Sequence, residues 1–135
     1  MVDKYVLDSF ALMALFQDEP GAARVQGLLE SADKEDCELY VSVINLGEVL
    51  YNVEGRGIRA AQEVLSFFKQ SQIKVIDADL QLVMRAARLK AQTGIGYADC
   101  FASALAQQIS GTVVTGDEDF RRVEQLVPVE WLPVA

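Results

Sequence analysis

The stretch KYVLDSFALMALF, residues 4–16, sets the reading of the whole chain. Its first four residues form a short apolar run with β-branched and aromatic members, which predicts a strand. Asp8-Ser9 stops that run and offers the side-chain oxygens that open a helix. Residues 10–16 (FALMALF) then continue as the helix. The same alternation recurs outward from this point. After the turn QDEPG, residues 22–31 carry apolar side chains at helical spacing. Residues 38–43 (ELYVSV) predict a second strand and residues 45–53 a helix, which Gly55-Arg56-Gly57 ends. Residues 58–71 are amphipathic, and residues 73–76 (IKVI) predict a third strand. Asp79 caps a helix running to about residue 92. Beyond the break Gly94-Ile95-Gly96, residues 97–110 form an Ala-rich helix. Residues 112–115 (TVVT) predict a fourth strand and residues 117–124 a short helix. Residues 127–132 hold Pro128 and therefore suit an edge strand. Strands alternating with helices imply an α/β fold whose parallel sheet is covered by helices on both faces. In such sheets the functional crevice lies beyond the carboxyl ends of the strands, where strand order reverses.

Composition narrows the chemistry. The chain has 135 residues, enough for one domain spanning residues 1–135 and too few for two. Twelve Lys and Arg against twenty Asp and Glu leave a net charge of −8, and there is no His. That excludes Ser/His/Asp and Cys/His triads, imidazole acid–base pairs and His-containing zinc sites. Chemistry is left to carboxylates, hydroxyls, amines, two thiols or a metal ion. Cys37 and Cys100 fit no C-x-x-C pattern and read as separate reduced thiols. The apolar FALMALF run has the look of a signal-peptide core, but Asp3 and Asp8 flank it and no small-residue cleavage site follows. It reads as a buried helix, and the expected location is cytoplasmic.

Four acids fall just beyond strands or at the start of a helix. Asp8 follows the first strand directly, and Asp117 follows the fourth after one glycine. Glu48 lies about one helical turn beyond the second, and Asp99 stands near the start of the Ala-rich helix. Brought to one sheet edge, these carboxylates repel one another by several kcal/mol in order of magnitude at low effective dielectric. Such a site persists if some carboxyls hold protons or a cation neutralises them. Oxygen ligands without nitrogen or sulfur select Mg²⁺ or Mn²⁺ over zinc. Each acid alone also has an ordinary role. Asp8 suits a helix cap, Glu48 a solvated face, Asp99 the positive end of a helix dipole, and Asp117 a turn, with Asp119 suited to either role. Their joint placement carries the argument.

The segments YVLDSFALMALFQDEPG, SVINLGEVLYNV, YADCFASALAQ and TVVTGDEDFRRV resemble, in order and spacing, the motifs of PIN-domain nucleases, most of all the VapC-type toxins of toxin–antitoxin pairs. The resemblance covers nearly the whole chain. It implies a three-layer α/β/α sandwich and an endoribonuclease dependent on Mg²⁺ or Mn²⁺. It also implies an RNA substrate, a cognate antitoxin and a homodimer. Carried over residue by residue, the metal-holding and catalytic acids are Asp8, Glu48, Asp99 and Asp117. Ser9 and Thr115 match supporting polar positions, and Asp119 stands as a substitute for Asp117. Gly96-Tyr97-Ala98 departs from the aliphatic lead-in of many relatives. The strongly acidic chain also departs from what unaided RNA binding would favour.

Two other readings compete. One is a non-catalytic PIN-like binding module, since ligands do not prove turnover. The other is a phospho-acceptor signalling domain built on Asp8, Asp77 and Thr115. It lacks the second acid after the first strand and has no lysine beyond Lys90. The basic groups (Arg56 with Arg59, Arg85 with Arg88 and Lys90, Arg121 with Arg122) read as solvated faces paired with nearby acids.

Overall fold

The structure is a computed structural model and describes residues 2–56 and 58–134. Five strands, β1 (Asp3–Leu7), β2 (Cys37–Ser42), β3 (Ile73–Ile76), β4 (Thr112–Thr115) and β5 (Val129–Trp131), form one sheet in the order β3-β2-β1-β4-β5. Every pairing is parallel, with Tyr5 opposite both Leu39 and Thr112. Among the described residues, six α-helices connect them: α1 (Ser9–Phe16), α2 (Ala22–Asp33), α3 (Val43–Glu54), α4 (Ile58–Gln70), α5 (Leu80–Thr93) and α6 (Tyr97–Ile109).

The pleat sends alternate residues to opposite faces. Leu7, Leu39, Val41 and Val114 pack with Leu12, Val25, Leu28, Val49 and Phe68 of α1–α4. Val6, Tyr40 and Val113 pack with Leu82, Leu89, Phe101 and Leu105 of α5 and α6. The expected three layers are therefore present. Residues 100–106 of α6 are buried without interruption, so this stretch of the helix is enclosed on every side, and its alanines permit the close approach. FALMALF lies in α1, with Ala11, Leu12 and Ala14 buried, as the sequence predicts. Cys37 and Cys100 are buried free thiols.

Several boundaries differ from expectation by one or two residues, and three of the differences have a clear physical cause. Val43 opens α3 instead of ending β2, because the Ser42 hydroxyl accepts the Ile44 N–H at 3.2 Å and turns the chain into the helix. The short helix after β4 is a 3-10 helix, Glu118–Val123, too brief to repeat the α-helical bond. β5 keeps only three residues, starting after Pro128, whose carbonyl accepts the Val113 N–H.

Strand order reverses between β1 and β4. From β1 the chain builds outward to β2 and β3, then crosses back through α5 and α6 to lay β4 on the other side. The crevice at this switch point receives the carboxyl ends of β1 and β4. Among the described residues, no helix is long and apolar enough to cross a membrane.

Candidate active site

Asp8 stands at the end of β1 and is 1 % exposed. It caps α1: Oδ1 accepts the Ala11 N–H at 2.8 Å, while Oδ2 accepts the hydroxyl of Thr115. The capping role and the crevice position thus fall on one residue. Thr115, the last residue of β4 and fully buried, also accepts the Asp117 N–H at 3.0 Å. Asp117 in turn caps the 3-10 helix, its Oδ1 accepting the Asp119 N–H at 2.9 Å. A continuous chain of hydrogen bonds therefore ties the end of β1 to the loop after β4.

Opposite this chain, Asp99 lies in the first turn of α6. Carboxylate oxygens of Asp99, Asp117 and Asp119 lie within 4.8 Å of one another. Gly96 precedes them closely, and a Cβ there would stand 3.2 Å from Asp99 Oδ2, so the glycine leaves that carboxylate room. Glu48 of α3 reaches the same region and adds to the negative field on Asp99. Its Oε1 accepts one N–H of the Asn45 amide at 3.2 Å, and the other reaches the carbonyl of Ala98 at 3.2 Å. Ser9 is half-buried in the first turn of α1.

Electrostatics reflect this crowding. Burial pushes the Asp8 carboxyl up to about 7, against the hydrogen bonds from Thr115 and Ala11, with further repulsion from Asp99 and Asp117. Burial also raises Asp99 to about 7, and the charges of Asp117, Glu48 and Asp119 add to it, while Lys90 opposes them. Four of the acids expected from sequence, and Asp119 as well, thus share one electrostatic neighbourhood. Asp77 is exposed after β3, on the outer edge of the sheet, two strands and about 10 Å from β1. Two of the basic side chains, Arg59 and Arg121, pair with Glu63 and Glu124 as the sequence reading has it.

Sequence reasoning passed over Asn45. The available signal was a polar side chain three residues before Glu48 in an otherwise apolar run, which places both on one helix face.

A sequence model of the PIN domain matches residues 5–126. The chain belongs to the PIN domain family. No curated protein sequence matches it. Among solved structures, this PIN domain is similar to VapBC2 from Rickettsia felis, solved bound to a promoter DNA fragment, at TM-score 0.74 and 20 % identity over 96 % of this chain and 99 % of that one. It is also similar to the sarcin–ricin loop cleaving toxin VapC20 from Mycobacterium tuberculosis, at TM-score 0.74 and 17 % identity over 96 % and 99 %. FitAcB from Neisseria gonorrhoeae gives TM-score 0.69 and 23 % identity over 93 % and 95 %.

Gly116 tests how tightly this PIN domain holds the crevice. A Cβ there would fall 2.3 Å from Cε1 of Phe10, the residue two beyond Asp8. Gly116→Ala is expected to push that ring aside and cost about 1–3 kcal/mol. Denaturant unfolding would measure the loss; unchanged stability would show that the first turn of α1 yields freely.

Proposed function

We propose that this PIN domain is a Mg²⁺- or Mn²⁺-dependent endoribonuclease, the toxin member of a toxin–antitoxin pair. The observation that carries the reading is the convergence of Asp99, Asp117 and Asp119 within 4.8 Å of one another, with buried Asp8 outside that group but repelled by the charges of Asp99 and Asp117. The donor set fits a hard divalent ion: every candidate ligand is a carboxylate oxygen, and their repulsion has no counter-charge among them. Asp8, Asp99 and Asp117 would hold the ion, with Asp119 beside Asp117 and Glu48 ligating or orienting water. When bound, the ion would neutralise the substrate phosphate and acidify water for attack.

The chain's own residues prepare this site. Thr115 fixes one oxygen of Asp8 and the backbone of Asp117 at once, so the two acids keep their spacing. The Ala11 N–H fixes the other Asp8 oxygen. Asp8 and Asp99 can retain protons near neutrality, which limits repulsion before an ion arrives. Ser9 adds a hydroxyl next to Asp8. RNA is the substrate we assign on the likeness in fold to the sarcin–ricin loop cleaving VapC20, and a polyanion enters an acid-lined crevice only with a cation between them. The toxin reading rests on the likeness in fold to VapC20 and to the VapBC2 complex. A cognate antitoxin, a homodimer and a cytoplasmic setting belong to the same reading. The exposed side chains of Leu80 and Met84, one turn apart on α5, offer apolar surface for such contacts.

The test is cleavage of a labelled structured RNA by purified protein with MgCl₂ or MnCl₂, and in parallel with EDTA. Fragments are expected only with the divalent ion. RNA left intact under all conditions would favour a binding module instead, and cleavage undiminished by EDTA would remove the metal from the reading.

A further inference from the structure

Asn45 is fully buried in α3, and its amide joins two elements of the site. One N–H is given to Glu48 Oε1, the other to the carbonyl of Ala98, the residue before Asp99. Both partners are acceptors, so the amide's orientation is determined: turning it over would set oxygen against oxygen. The consequence is an orphan. Asn45 Oδ1 is buried and has no hydrogen-bond donor, the one such side-chain atom found among the described residues.

A buried acceptor without a donor destabilises the fold, because it gives up water and gains nothing in return. A clamp needed only to join α3 to α6 would avoid that cost with an apolar side chain of similar size, since both helices already contribute apolar residues to the core. The amide nevertheless sits where its N–H groups restrain Glu48. A carboxylate three residues along the same helix otherwise samples several rotamers and swings from its acidic neighbours. Holding Oε1 leaves Oε2 available and stops that swing.

We infer that Asn45 is a positioning residue for the acid cluster, fixing the Glu48 carboxylate against α6 so that it acts together with Asp99 on a divalent cation. This rests on the metal-site reading above. Outer partners of metal-ligating carboxylates typically contribute 10–100-fold in affinity. Asn45 acts through Glu48, so the two side chains form one unit.

The test reads Mn²⁺ binding directly, by the loss of the free-ion electron paramagnetic resonance signal, on wild type, Asn45→Leu, Glu48→Gln and the double variant. Leu keeps the branched shape of Asn at slightly greater volume and removes the orphan oxygen, so the metal-free melting temperature of Asn45→Leu should stay close to that of wild type or exceed it. Its Mn²⁺ affinity should fall about 10-fold. Glu48→Gln should also weaken binding, and the double variant should bind no worse than Glu48→Gln alone. Losses that multiply in the double variant, or Mn²⁺ affinity unchanged in Asn45→Leu, overturn the inference and leave the metal reading standing. Should Asn45→Leu fail to fold, Asn45→Ser supplies the same comparison, because its short hydroxyl does not span to Glu48. Wild-type protein that leaves Mn²⁺ free overturns the metal reading and this inference together.

Discussion

Asp8→Asn is expected to lower RNA cleavage by at least about 100-fold, a barrier increase of about 2.7 kcal/mol, while the metal-free protein becomes more stable near pH 8. The two effects have one origin. Asp8 is buried beside Asp99 and Asp117, and its ionised form is held there at the expense of folding. Its carboxyl rises from 3.8 to about 7, and each unit is worth 1.36 kcal/mol, so ionising it when folded costs up to about 4 kcal/mol. Asn removes the charge, keeps the bond from Ala11 and reverses the one with Thr115. Its Oδ1 still accepts the Ala11 N–H, and its amide can donate to the Thr115 oxygen. A rise of roughly 5 °C or more in the melting temperature in EDTA corresponds to part of that cost. Asp99→Asn should lose activity in the same way, with a smaller thermal gain because Asp99 is only partly buried. Calorimetry in EDTA and an RNA cleavage assay check both halves. Full activity in Asp8→Asn would remove this carboxylate from the mechanism, and a large fall in melting temperature would show that its charge is a net structural asset.

The second large effect is a pH dependence that divalent ions offset. Asp8 and Asp99 bind protons more tightly in the folded chain than in the unfolded one. Between the unfolded value of 3.8 and the folded value of about 7, folding therefore takes up protons. Their contribution to stability is complete below the unfolded value and is lost as pH rises through the folded one. In EDTA the melting temperature should fall from pH 5.5 to pH 8, and Asp8→Asn should flatten the slope. Mg²⁺ or Mn²⁺ competes with those protons, so its stabilisation should be small at pH 5.5 and large at pH 8. Free ion at 100 times its dissociation constant adds about 2.7 kcal/mol. Thermal melts at the two pH values, with and without the ion, give the full comparison. A melting temperature that is equal at both pH values in wild type, and unmoved by divalent ions, would contradict the linkage.

Much of this architecture is visible in local patterns. IKVI and TVVT are strands with the predicted limits, since short β-branched runs bounded by turn residues have few alternatives. The Asp8 and Asp79 caps fall where expected, because a side-chain oxygen two or three residues before free N–H groups is a local geometry. The boundary at Val43 is not legible locally, because a β-branched residue after ELYVS continues the strand pattern, while the cap that ends it uses Ser42, itself part of the strand. At the site, spacing placed the acids beyond the strands. It did not separate Asp117 from Asp119, and the structure sets both carboxylates beside Asp99. Asn45 escaped notice for a similar reason: its two acceptors lie three residues along its own helix and 53 residues away on α6.

The sequence by itself determined the alternation of strands and helices, the Asp8 and Asp79 caps, and the absence of any imidazole, so that carboxylates became the available chemistry. These depend on neighbours within a few positions of the chain. Only the tertiary structure decided that β4 lies against β1, that Thr115 donates to Asp8, and that two carboxyls titrate near neutrality. Strand order follows from how whole layers bury their apolar faces, and a shifted pKa follows from the water and charge that those layers exclude or bring together. Neither quantity belongs to any short stretch of residues.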